Sequence, residues 1–441
     1  MTLKEFTGSR EKVITEGEFL PILEKAAMHL LELREIVRTG AGKEWSRRFV
    51  SVLIREVHGL RTVLNDYDAQ ENSTYSYFTE LVAGIRSFAK VVYILKHLRE
   101  RFLRSHLAEN GEESRRFFQD TANALSFCGD TLRGLFDAFT VECEELGLEL
   151  PTALSAEEVE RARDSQFREH LPHNIDEEEM AGEDAKIAQV ASSFLRAADF
   201  YESMAPPMEL ETYLELKRFV QERLDEEKAR LIETSIHAIQ SKYDTYIQFT
   251  GSESKNPELR KIRYVISLAL HLFEATTHLI HFYERHENDI RSEAVKQRVS
   301  GVANKRAVLD CAVNYAFRSA GWLMSEGKAS ALLLIPEYTS IQEVVFPIPH
   351  DVRLHIRPAA LIASIVTHHG TPVTMKMGDG ECDAASVTDV IFLAGTNLDA
   401  REVTFHGDEA PIADLSVLFE VGLRDEGREE LEERLAYLRN G

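Results

Sequence analysis

From about Glu16 to Leu323, apolar residues recur every three or four positions in long blocks, and Gly and Pro fall mainly between those blocks. That is the period of amphipathic helices, so the pattern predicts an all-α region. Within Tyr77 to Arg104, the residues Leu81, Ile85, Phe88, Val92, Leu95 and Leu98 describe a single helix with one buried stripe. The same spacing covers Tyr264 to Arg291. Pro206-Pro207 opens a third long segment that runs through Leu224 and Ile236 to Ile247 and stops near Gly251, in keeping with proline's tolerance at a helix start.

The texture changes after Pro336. Val344 to Ile348, Val373 to Met377 and Val403 to Phe405 are short, β-branched or aromatic and partly alternating, which predicts strands. Between the first two, Arg357 to His369 has helical spacing and ends on His368, His369 and Gly370, a last turn suited to a helix C-terminus. Met377-Gly-Asp-Gly380 supplies turn chemistry for a hairpin into Cys382. Ser386 can cap a second short helix, with Asp389 three residues on. The predicted order is β, α, β, β, α, β, then helix.

The stretch 151–185 is acidic, poor in large apolar residues and punctuated by proline, and reads as a linker. The expected domains are therefore a helical bundle over 1–150, the linker over 151–185, a second bundle over 186–335 and an α+β domain over 336–441. Two echoes leave a duplication open, Lys96 to Arg101 against Ile280 to Arg285 and Ala122-Asn-Ala against Ala303-Asn-Lys. The fold class is a multidomain chain, helical bundles followed by a small α+β domain.

With 441 residues the chain is long enough for about three such units. A net charge of −23 argues against a large nucleic-acid-binding face. No apolar run approaches the roughly 18 residues of a bilayer span, and the purest, Ala331 to Ile335, is broken at Pro336. Cys128, Cys143, Cys311 and Cys382 form no CxxC pair and suggest neither a disulfide framework nor a zinc cluster. These features predict no membrane insertion and a cytoplasmic address.

The sharpest local feature is Leu354-His-Ile-Arg-Pro-Ala-Ala360, where a strand gives way to a helix. Pro358 fits the first helical turn, which puts His355 beside the orphan N–H groups of the helix start. A helix N-terminus disfavours imidazolium and supplies donors to any anion that becomes attached. Arg357 could add a bidentate contact to the same anion. The layout suits a covalent phosphohistidine.

Here the sequence resembles the phosphocarrier HPr family of the phosphoenolpyruvate-dependent phosphotransferase system. LHIRPAA is similar to that family's active-site motif, and Ala384-Ala-Ser-Val-Thr-Asp-Val-Ile-Phe-Leu393 to its regulatory serine helix. The resemblance covers roughly Glu343 to Gly422 and says nothing of the helical part. It implies an open-faced β-sandwich in which His355 takes phosphate from an Enzyme I-like donor, Arg357 stabilises it, and a downstream acceptor of the IIA or regulatory type receives it. It also implies regulation at Ser386 by an HPr kinase. Partner docking is expected at Arg353, an extra cation beside His355, and at the apolar face near Val387 and Ile391. No cofactor and no metal are expected.

The sequence departs from the family pattern. Arg353 and Val352 replace the usual glycine and asparagine, Ala385 replaces the lysine before the serine, and the stretch from Leu393 to Val403 is long. Ile412 to Val421 is preferred over the tail Glu426 to Asn440 as the closing helix. The plain alternatives are a strand-end histidine for His355 and a simple helix cap for Ser386.

His271, His278, His281 and His286 invite a metal reading, but the helical region has no Glu-x-x-His pair, so core or solvated histidines are favoured. His97 and His281 lack the Lys-Gly neighbourhood of a histidine-phosphotransfer bundle. Asp176 to Glu183 reads as solvated linker. A phosphoryl carrier is thus the first functional reading. The other is an interaction or sensor protein whose small domain docks partners and whose helical module is the effector. Either way the helical module is expected to contact the small domain, covering the apolar face near Val387 and Ile391.

Overall fold

The computed structural model describes residues 13–40, 42, 44–109, 111–152, 182–206, 209–248, 250–287, 292–349, 354–423, 431 and 433–440. Arg353, most of the acidic stretch 151–185 and part of the tail 426–440 lie outside the described residues. Helix α1 is Glu16–Glu32, α2 Arg34–Thr39, α3 Arg47–Asp66, α4 Ser76–Leu103 and α5 Gly111–Glu145. Then follow α6 Glu183–Ser203, α7 Tyr213–Arg223, α8 Glu226–Tyr246, α9 Ser252–Lys255, α10 Pro257–Glu287 and α11 Glu293–Val302. Helix α12 is Lys305–Asp310, a π-helical turn spans Cys311–Phe317, and α13 is Arg318–Glu337. The C-terminal part runs β1 Ile341–Pro347, α14 Ile356–His369, β2 Val373–Met377, β3 Gly380–Asp383, α15 Val387–Thr396, β4 Glu402–Asp408 and α16 Glu409–Val417.

Two compact units emerge, and neither is continuous in sequence. One gathers 1–172, 205–233 and 270–320, the other 173–204, 234–269 and 321–441. The boundaries expected at 150, 186 and 335 are not where the units divide, because α8, α10 and α13 each carry residues of both. Helical periodicity reports which face of a helix is apolar but not which distant segment covers it.

In the first unit α4 packs against α3 and α5. The expected stripe from Leu81 to Leu98 is buried, but so are Phe78, Val82, Ala89, Val91 and Ile94. The helix is enclosed on most of its circumference rather than along one line. Gly42 and Gly129 permit a close backbone approach, since a Cβ on Gly129 would meet the Gly42 Cα at 2.6 Å. The Phe78 and Phe139 rings lie 5.2 Å apart, and Phe88 meets Phe282 edge-on at 5.0 Å.

The long helix expected from Pro206 to Ile247 is instead two. Thr212 and Glu215 form a capping box that starts α7 beyond the prolines. Asp225 accepts the Lys228 N–H at 2.9 Å and starts α8, so the chain breaks at Leu224. Helix α10 begins earlier than its periodicity suggested, with Asn256 accepting the Glu258 N–H at 3.0 Å. Its stretch Pro257–Arg285 is long and apolar enough to cross a membrane, but most of its apolar window is buried inside the protein, as in a core helix.

The four strands form one antiparallel sheet in the order β1-β4-β2-β3. The order of strands and helices is the one read from the sequence. Val373, Met375 and Met377 of β2 and Val403 and Phe405 of β4 point into a core shared with Ala359, Ile362, Val390, Ile412 and Leu415 of the three helices. Thr374, Lys376 and Thr404 alternate to the other face. Met377 pairs with Gly380 around a two-residue Gly-Asp loop, and Gly378 takes the φ of +59° that this turn requires.

Candidate functional site

Leu354, buried, anchors the connection that leads from β1 into α14, and His355 is the helix N-cap. Its ring is exposed, and Nδ1 accepts the Arg357 N–H at 3.4 Å. Pro358 and Ala359 bury the inner side of the first turn, which turns His355 and Ile356 outward. Ile356 is 69% exposed. A nitrogen that accepts a hydrogen bond carries its lone pair, so this contact fits the neutral tautomer with the proton on Nε2.

His355 borders a cavity of about 190 Å³ lined also by Leu354, Ile391, Asn397, Leu398 and Arg401. Leu398 and neighbouring Phe392 are 61% and 73% exposed. Sequence reasoning named neither Leu398 nor Arg401, which sit in the α15–β4 connection and carry no motif. A cation just before a strand, in a connection longer than usual, was the only signal.

Val387 and Ile391 are half-buried and packed in part against the core of the α+β part, and Ile391 also lines the cavity beside His355, while Ile356, Phe392 and Leu398 are the more exposed apolar side chains nearby. The pattern placed them on α15 but could not tell its inner side from its outer one. Ser386 caps α15, its hydroxyl accepting the Asp389 N–H at 3.2 Å, while Asp383 accepts the Ala385 N–H at 2.9 Å. Burial, with Asp389 and Asp383 nearby, pushes the Cys382 thiol up to about 11, which leaves it a weak nucleophile.

Comparison with family models, curated proteins and solved structures finds no match.

The other end of α14 is tied down. His369 Nε2 lies 2.7 Å from Asp414, Tyr437 donates to the same carboxylate at 2.6 Å, and His368 stacks on the Tyr437 ring at 3.6 Å. Gly370 closes the helix at φ +72°, and its carbonyl accepts from Arg196 of α6 at 3.2 Å. Helix α6 thus meets the α+β part at the C-terminus of α14, a full helix length from His355, and Arg196 also lies near enough to Asp383 to act on it electrostatically.

The histidines that invited a metal reading have other partners. His271 pairs with Glu274 at 2.8 Å, His281 with Glu226 at 2.7 Å, and His97 meets His271 edge-on. Burial, aided by His271, drives His97 down to about 4. The His286 side chain lies outside the described residues. Among the described residues no group of three metal-ligating side chains is gathered.

Proposed function

We propose that the C-terminal α+β part is an HPr-like phosphocarrier or regulatory domain of a phosphoenolpyruvate-dependent phosphotransferase system. The observation that carries this reading is the exposed His355 at a helix N-terminus, its Nδ1 lone pair held toward the Arg357 N–H beside an apolar-rimmed cavity. The β1-β4-β2-β3 sheet with helices on one face supports an open-faced sandwich.

In the proposed step, the Nδ1 lone pair gives up the Arg357 N–H and attacks the phosphorus of a phosphorylated Enzyme I-like donor. The Nδ1–P bond forms as the donor's bond to phosphorus breaks, and Nε2 keeps its proton. The helix N-terminal N–H groups and Arg357 then hold the phosphoryl oxygens until an acceptor takes the group. The exposed Ile356, Phe392 and Leu398 supply the docking rim.

A second reading, in which the α+β part docks or senses and the helices act as effector, is favoured by the Arg196 to Gly370 hydrogen bond. The full chain mixed with phosphoenolpyruvate and the Enzyme I of its host separates the two. The carrier reading expects an acid-labile mass increase of one phosphoryl group on His355. No such increase leaves the docking reading.

A further inference from the structure

In a chain of net charge −23, one place in the first unit holds cations without acids to match. Arg61 of α3, Arg86 and Lys90 of α4, and Arg230 of α8 lie near enough to act on one another electrostatically. On α10, His278, His281 and Arg285 share one face at intervals of three and four, and His278 feels Lys90, Arg86 and Arg230. Three acids face these cations, and a fourth, Glu284, accepts the Glu226 N–H at 3.0 Å. Both Glu80 oxygens receive Arg285, at 3.0 and 2.8 Å. Glu226 is engaged by Arg230 at 2.5 Å and by His281. Glu233 lies near Lys90 with one oxygen buried and unpartnered.

Arg61, Arg86 and Lys90 make no hydrogen bond or ion pair among the described residues. All three are half-buried. Other arginines of this unit in similar settings are matched, Arg47 by Glu100 at 3.0 Å, Arg298 by Glu142 at 2.7 Å and Arg318 by Glu209 at 3.3 Å. Burial first, then the neighbouring cations, pulls the three unpaired groups below their ordinary ranges. The same causes hold His278 neutral, down to about 3. Such an arrangement costs stability unless something negative enters it.

We propose that Arg61, Arg86, Lys90 and Arg230 form a binding site for a compact, multiply charged phosphate group of the pyrophosphate type. Guanidinium forks from separate helices suit the several oxygens of such a group, and the ammonium adds a point charge. Partial exposure of all four leaves the anion a route in from solvent. The site uses no residue of the α+β part and stands or falls independently of phosphate transfer at His355. The diphosphate can come free or as part of a nucleotide.

The test is calorimetric titration and thermal melting of the full chain with inorganic phosphate, pyrophosphate and ADP, with ionic strength held constant by sodium chloride. Saturable pyrophosphate or ADP binding with a raised melting temperature is expected, and whichever binds tighter identifies the source. Arg86→Met and Lys90→Met keep the aliphatic stem and should each weaken binding at least about tenfold, the size of one charge-assisted hydrogen bond. Without ligand, Arg86→Met should melt at or above the wild-type temperature, because it removes repulsion. His355→Ala should bind as wild type does. Stabilisation no greater than that of chloride, binding retained in the Arg86→Met, Lys90→Met double variant, or a lowered melting temperature of ligand-free Arg86→Met would each overturn the site.

Discussion

The backbone N–H of Arg357 points at Nδ1 of His355, 3.4 Å away, so one ring nitrogen serves both as helix cap and as the candidate nucleophile. The two roles can be separated. His355→Asn keeps a capping oxygen but offers no imidazole, so its melting temperature should stay near wild type while acid-labile phosphorylation disappears. His355→Ala should lose both, at a stability cost of up to about 1 kcal/mol. Label retained in His355→Asn would move the phosphate to another residue and end the carrier reading.

Ser386 offers the same dissection at α15. Removing its hydroxyl in Ser386→Ala orphans the Asp389 N–H and should cost about 1 kcal/mol, read by denaturant unfolding. Ser386→Asp preserves a capping oxygen and adds charge, so it should fold as wild type but accept phosphate on His355 more slowly. If Ser386→Asp is labelled at the wild-type rate, Ser386 is a cap and nothing more.

Acid should weaken the first unit through His97. Its folded value of about 4 lies below the ordinary histidine value of 6.5, so the unfolded chain binds the proton first. Stability is then undiminished above about pH 6.5 and falls as the pH drops toward 4. His97→Gln cannot take up that proton, and its melting temperature should drop less than that of wild type between pH 7 and pH 5. Parallel losses in the two proteins would show that His97 is not the group responsible.

Glu80 is 1% exposed and carries Arg285 on both oxygens in the midst of other cations. Glu80→Gln would leave Arg285 uncompensated and should destabilise the protein by about 3–5 kcal/mol in urea. The double variant Glu80→Gln, Arg285→Met should recover most of that loss. A loss below about 1 kcal/mol in the single variant would mean that the pair is screened by water.

At the far end of α14, Gly370→Ala puts a Cβ at φ +72° and within 3.3 Å of the Gln189 side chain. Left-handed strain alone predicts a cost of about 1–2 kcal/mol. Gly370→Asn, better tolerated in that conformation, should cost less. Equal costs would point to the Gln189 contact rather than the backbone.

Much of the α+β part was legible because its signals are local. The Gly378-Asp379 turn, the alternation of Val373 to Met377, the Ser386 cap and the His355-x-x-Pro358 helix start each lie within a few residues of the structure they specify. What stayed hidden depends on partners remote in sequence. Arg61, Arg86, Lys90 and Arg230 are spread over 170 residues and only the packing of three helices brings them together. Val387 and Ile391 lie on a short apolar helix whose pattern shows its faces but not how far the sheet covers each one. The break at Leu224 was readable in principle, since Asp225 is a good helix cap, but unbroken periodicity on either side masked it.

The interleaving of the two units sets an order on how the chain can acquire its structure as it is synthesised. The first unit lacks essential segments until Ala320 has been added. By then 173–204 and 234–269 are already made, yet their companions in 321–441 have not emerged. Those stretches can pack on one another, as Lys186 does over the Tyr246 ring, but closing both units requires contacts between distant positions, which slows folding. A chain truncated at 335 would therefore release helices that have lost their partners rather than an intact helical module.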